Sequence, residues 1–315
     1  MPRYQTIVLA LIAAALMLPP AASAAAADLA FDSVTKFVMN GDPPPQQPGD
    51  FNADFATAAA VQMPEQGGGG GFFSQIGRGI AMGKSMQEVM HAGMAERHYV
   101  AGSKERIDNL TMQTATIVDC SARTITTLDL RRKTYKTVSM DQGSESGGAA
   151  GASPSDMRDN GTRIAIAVNN TALGSRQIGG QDTNGYRADM TITETSASGE
   201  SHTQHGNLLS YFSSIANPAP SCSHAAGPNP QMGSPMLAGF AQVMSALTSS
   251  GSDRRVSIKQ SGPPLPLGKL AMFSTMNFAG GPGSGMTFVT ERGNVRSLSA
   301  NDPVFAIPPD FTQQQ

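Results

Sequence analysis

The chain has 315 residues, with 22 basic and 24 acidic side chains, a formal charge of −2 and no Trp. No broad basic field is present to hold nucleic-acid phosphates, so no nucleic-acid partner is expected. Charged residues make up 15%, below the usual ~25%, and the 34 Gly and 21 Pro indicate a loop-rich chain short of wholesale disorder.

Residues 1–24 combine Arg3, an apolar run from Ile7 to Leu18, a Pro19-Pro20 break and Ala22-Ser23-Ala24. This pattern predicts a signal peptide, with the mature chain starting near Ala25. The run is short for a membrane span, and no later stretch supplies one. The expected location is therefore periplasmic or extracellular. Cys120 and Cys222 are the only cysteines. In an oxidising compartment they can close a disulfide; two unpaired thiols are the alternative.

Residues 25–71 read as a low-complexity leader, with GDPPPQQPGD at 41–50 and five glycines at 67–71. Phe31, Val34, Phe37 and Val38 have helical spacing and predict one short helix there. Over 72–95, Phe72, Ile76, Ile80, Met86, Met90 and Met94 fall on one helical arc. Such a stripe reads either as a pliable lid over an apolar ligand or as a helix packed on a sheet.

From residue 96 the period shifts toward two. Residues 95–110 predict a strand, a Gly-Ser turn and a second strand. TATIVD (114–119), TITTLD (124–129) and TYKTVS (134–139) predict three more, joined by short turns. Closely spaced strands of this kind make an antiparallel meander. Residues 141–160 read as a loop, and 161–170 as a strand. The stretch 174–195 has turn signals at Gly179-Gly180 and Asn184-Gly185, then alternates, with Tyr186, Ala188, Met190 and Ile192 on one face. Residues 213–231 read as loop. Ser234-Pro235 opens a second helix striped by Met236, Phe240, Val243, Met244 and Leu247. Strands follow at 254–260, in KLAMFSTMNF and in MTFVTER. No internal repeat is read from the sequence. The fold class expected is α+β: one strongly curved antiparallel sheet with helices against one face.

Signals for chemistry are sparse. His202 and His205, three apart, and His224 read as solvated loop histidines rather than metal ligands. There is no G-x-S-x-G and no H-E-x-x-H. GRGIAMG at 77–83 lacks the preceding strand of a dinucleotide loop, and the five-glycine run lacks a following Lys-Ser/Thr. No cofactor or metal is expected. Arg131-Arg132-Lys133 reads as a wet turn.

Several motifs in order resemble a bacterial envelope family of uncharacterised function, related to the lipoprotein-carrier (LolA-like, LppX-like) fold. They are Arg106, Ile117-Val118-Asp119, Lys133-Thr134-Tyr135, Gly185-Tyr186 and Phe305-Ala306-Ile307-Pro308-Pro309. The resemblance covers roughly 72–313, which sets the expected single LolA-like domain at 72–315. It implies an unclosed β-barrel whose concave face is covered by helices around an apolar cavity. No ligand residue carries over from the family. The residues expected to line the cavity are Ile80, Met86, Met90, Tyr135, Tyr186, Met236, Phe240 and Met244, with Phe305 read alongside the two tyrosines; for these three aromatics, ordinary sheet packing is the alternative. The function expected is an exported, non-enzymatic binding protein for a lipid, acyl or other apolar ligand. A structural or sensor module with a filled core, or an exported hydrolase using His202, His205 or His224, are the alternatives.

Overall fold

A computed structural model describes residues 28–39, 45–62, 84–140, 163–196, 198–218, 256–280 and 284–314. The expected signal peptide, the Gly-rich start of the first Met stripe, the whole second Met-bearing stripe, His224 and Cys222 lie outside these residues. Thirteen strands form one curved, unclosed sheet in the order β10-β7-β8-β9-β11-β12-β1-β2-β3-β4-β5-β6-β13. The sheet is mixed rather than wholly antiparallel. β10 (Val256–Ser261) runs parallel to β7, and β13 (Thr312–Gln313) parallel to β6. Both parallel pairs sit at the sheet edges, where chain segments return from far along the sequence.

The helix expected around Phe31–Val38 is a strand. β1 (Leu29–Met39) lies between β12 and β2, near the middle of the sheet. Its apolar residues mimic a helical stripe because both faces are covered: Phe31 packs on one side and Val34 on the other. The segment read as leader also supplies α1 (Phe51–Ala60). Asp50 caps it, accepting from the amides of Asn52 (3.1 Å) and Ala53 (3.2 Å). Phe55 and Ala58 of α1 bury against Val34 and Ala95. α2 (Lys84–Ala92) ends at Gly93, whose φ of +91° suits a left-handed helix stop. Met94, expected on this helix, instead begins β2 (Met94–Ala101).

β2 leads into the meander of β3 (Lys104–Asn109), β4 (Thr114–Asp119), β5 (Thr124–Asp129) and β6 (Thr134–Ser139), which follows the expected boundaries. The three turns after β3, β4 and β5 share one chemistry. The closing residues Asn109, Asp119 and Asp129 accept from turn amides, with Asn109 to Met112 at 2.7 Å, Asp119 to Ser121 at 3.0 Å and Asp129 to Arg132 at 2.8 Å. Each turn ends on a positive φ, at Gln113 (56°), Arg123 (53°) and Lys133 (53°). Strand plus turn thus recurs at ten-residue spacing, from Lys104, Thr114 and Thr124. Cys120, first in the β4–β5 turn, is disulfide-bonded.

The other half comprises β7 (Arg163–Ile178), β8 (Gln181–Thr195), β9 (Ser201–Ala216), β11 (Lys269–Gly280) and β12 (Ser284–Ser297). Gly179-Gly180 makes the β7–β8 turn, whereas Asn184-Gly185 is not a turn and lies inside β8. The tip of this hairpin curls over the sheet. A Cβ on Gly179 would lie 3.2 Å from the Arg292 carbonyl on β12, although β9 and β11 intervene in the strand order. Ile178 at the tip joins the main core of Leu29, Phe31, Tyr211, Met272 and Phe273.

The C-terminal segment closes one face of the meander. Phe305 buries against Ala30, Tyr99 and Ala101, while Ile307 and Phe311 pack with Tyr135 on Ala115, Ile117 and Leu128. Arg106 Nη1 donates to the Val304 carbonyl at 2.7 Å. The motif residues Arg106, Ile117, Tyr135, Phe305 and Ile307 thus gather on one side of the sheet. No described helix is long and apolar enough to cross a membrane.

Candidate functional site

The pairing of β9, β11, β12 and β1 brings residues far apart in sequence into rows across one face. An apolar row runs through Leu208, Met276, Phe288 and Phe37, which are direct cross-strand partners. Phe37 and Phe288 meet edge to face with centroids 5.4 Å apart. Leu208 and Phe288 are buried, Leu208 in a core with Ile166, Val168, Ala188 and Met190 on which Met276 also packs, while Met276 and Phe37 are half-buried and are the accessible part of the row.

Two residues along each strand, a second row consists of hydroxyls: Tyr186 on β8, Ser210, Ser274, Thr290 and Thr35. Alternation along a strand places these side chains on the same face as the apolar row. Ser210 donates to Ser274 at 2.9 Å, and Thr290 and Thr35 share a hydrogen bond at 3.3 Å.

A third row carries two charges among polar residues: Arg292 on β12, Ser33 on β1, Glu96 on β2 and Asn109 on β3. Asn109 Nδ2 donates to Glu96 Oε1 at 3.1 Å. His98, two residues along β2, stacks on Phe31 with centroids 4.6 Å apart. Its Nε2 lies 3.3 Å from Glu96 Oε2 and 3.2 Å from Ser33 Oγ. Burial pushes the Glu96 carboxyl up, but its bonds to His98 and Asn109 and the nearby charges outweigh this and hold it below the ordinary range. Burial lowers the Arg292 guanidinium, and Glu96 opposes that shift. Arg292 Nη1 donates to the Ala271 carbonyl at 2.6 Å, and the guanidinium lies 5.7 Å from the Phe31 ring centre. Glu105, near His98, is raised by burial.

Ser33, His98 and Glu96 bring together the residue types of a nucleophile relay. Their geometry does not make one. A relay places serine and carboxylate on opposite imidazole nitrogens, whereas here both approach Nε2. His202 and His205 lie on strand β9 rather than in a loop, and both are exposed. His205 Nδ1 sits 3.3 Å from Thr191 Oγ1. Among the described residues, no three His, Cys, Asp or Glu side chains converge as a metal set.

The described helices sit on the opposite face. α1 packs on Val34, and its Asp54 pairs with Lys36 at 2.5 Å; both β1 residues have the other parity from Ser33, Thr35 and Phe37. Of the expected lining residues whose side chains are described, Met90, Tyr135 and Tyr186 lie apart. Met90 packs against Val89, as do Val61, Met94 and Met112. Tyr135 lies under the C-terminal segment, and Tyr186 ends the hydroxyl row with its ring 6.0 Å from Phe212. Met86 is on α2, but its side chain, like Ile80, Met236, Phe240 and Met244 entirely, falls outside the described residues. The rows were missed because they join four or five distant segments. One local signal existed: Phe288, Thr290 and Arg292 grade from apolar to charged on one parity of β12.

No protein-family model, curated protein or solved structure matches the chain.

Proposed function

We propose that this is an exported, non-enzymatic binding protein of the cell envelope that shelters a lipid, acyl or other apolar ligand against its curved sheet. The observation that carries this reading is the apolar row Leu208–Met276–Phe288–Phe37, accessible at Met276 and Phe37 and bordered by hydroxyls. An unclosed sheet curves without needing its concave side filled by its own side chains, as a half-barrel of the lipoprotein-carrier kind would require. The ligand lies on the face opposite α1. The bonding of Ser33, His98 and Glu96 is that of a self-satisfied polar network, which favours binding over catalysis.

The test is native mass spectrometry of protein purified from its own envelope, together with uptake of a fluorescent fatty-acid probe. A co-purifying apolar mass that the probe displaces supports the reading. Uniformly ligand-free protein that takes up no probe overturns it. A filled structural or sensor module is the second reading. It is favoured by the fully buried Leu270, Met272 and Phe273, which already occupy the main core.

A further inference from the structure

The hydroxyl row has a break at its centre. Ser210 donates to Ser274 on one side, and Thr290 bonds Thr35 on the other. Ser274 and Thr290 are direct cross-strand partners on β11 and β12, yet they make no hydrogen bond to each other. Ser274 accepts from Ser210, so its own hydroxyl hydrogen remains to donate. The Thr35–Thr290 pair likewise uses one of its two hydroxyl hydrogens. Cross-strand partners have Cβ atoms about 4.5–5.5 Å apart, a gap that one bridging oxygen spans. Both side chains are half-buried rather than sealed.

We propose that Ser274 and Thr290 anchor the head of a single-chain amphiphile, and that this head is uncharged and hydroxyl-bearing, as in a monoacylglycerol. The inference rests on reading this face as the ligand-binding face. The side chains of the row, from Tyr186 to Thr35, are all hydroxyls, so nothing in it neutralises a charged head. The nearest cation, Arg292, is one row further on. Its Nη1 donates to the Ala271 carbonyl, its Nε is buried without a hydrogen-bond partner, and Glu96 lies in the same row. On the other side of the hydroxyls, the Leu208–Met276–Phe288–Phe37 row begins about 7 Å away along the strands and crosses three inter-strand spacings, about 14 Å in all. A head at the break therefore places an alkyl chain along the apolar row, over its half-buried members Met276 and Phe37. A charged head in the same place would lose its hydration to neutral partners.

The experiment compares the full chain, freed of bound lipid, for affinity to monododecanoylglycerol, dodecanoate and dodecyltrimethylammonium, all with the same alkyl chain. Each is read by displacement of a neutral fluorescent alkyl probe. The glycerol ester is expected to bind at least tenfold tighter than either charged analogue. The Ser274→Ala/Thr290→Val double variant is expected to abolish that preference while still binding the neutral probe, which also reports that it has folded. Equal or tighter binding of dodecanoate overturns the proposal. So does an unchanged preference in the double variant, as would result if only water bridges the two hydroxyls. Failure of the wild-type chain to bind the neutral probe at all overturns the binding-protein reading itself, a result distinct from losing only the head-group preference.

Discussion

The ring of Tyr211 on β9 lies over Gly185 on β8. A Cβ built on Gly185 would sit 2.5 Å from Tyr211 Cε1, closer than side-chain carbons approach. Arg176 covers the same ring, its guanidinium carbon 4.6 Å from the ring centre. Tyr211 itself is buried in the main core. Gly185 is therefore a packing glycine within a strand, not a turn residue. Gly185→Ala is expected to destabilise the fold by about 1–3 kcal/mol through overpacking. Urea unfolding measures this, and an unchanged midpoint would show that the ring moves aside freely.

The C-terminal segment is part of the core although its regular structure is limited to a 3-10 turn at Pro303–Phe305 and the two-residue β13. Phe305 is only 8% exposed and contacts Ala30, Tyr99 and Ala101. Phe305→Ala is expected to cost about 3–5 kcal/mol, as a buried aromatic deletion leaves a cavity. The same urea titration reads it. A loss below ~1 kcal/mol would mean that this segment is only loosely held.

Asp119 holds the β4–β5 turn by accepting from the amides of Ser121 and Ala122, both at 3.0 Å. Burial pushes its carboxyl up, but the Ser121 hydroxyl, the turn amides and Lys104 outweigh this and leave it below the ordinary value. A lowered folded pKa contributes stability at neutral pH, which is lost as pH falls through that value. Asp119→Ala is expected to cost about 1 kcal/mol near neutral pH. The difference from wild type should shrink on acidification. Thermal melts at neutral and acidic pH provide the check, and a pH-independent difference would remove the electrostatic account of this turn.

Glu291 gives the opposite sign. Burial raises its carboxyl, while the Gly49 amide and Lys36 pull it back and Asp54 adds to the rise. The native state then binds a proton more readily than the unfolded chain, so this group favours folding as pH falls through its raised value. Glu291→Gln removes that dependence. Stability of wild type relative to the variant is expected to increase from neutral toward mildly acidic pH, measured by urea midpoints across the range. A decrease would contradict the assignment.

The elements legible in the sequence were those with one wet face. β4, β5 and β6 alternate, carry Thr on a half-exposed surface, and are joined by Asx turns, so their boundaries were readable. β1 and β9 were not. Leu208 to Ser213 are buried in succession, so β9 shows no alternation, and β1 is covered on both faces. Pairing partners are also silent in a sequence. Nothing local tells that Val256–Ser261 lies parallel to β7, or that Thr290 faces both Ser274 and Thr35. The candidate site is built from such pairings, which is why Tyr186 borders it while Met90 and Tyr135, expected residues whose side chains are also described, do not.

Photo-cross-linking tests the central claim most directly. A neutral alkyl probe bearing a diazirine near the end of its chain is loaded onto the purified protein, irradiated, and mapped by peptide mass spectrometry. The account predicts adducts concentrated on the peptides carrying Phe37, Leu208, Met276 and Phe288. Adducts confined to the α1 face around Val34 and Phe55, or saturable labelling nowhere, would contradict it.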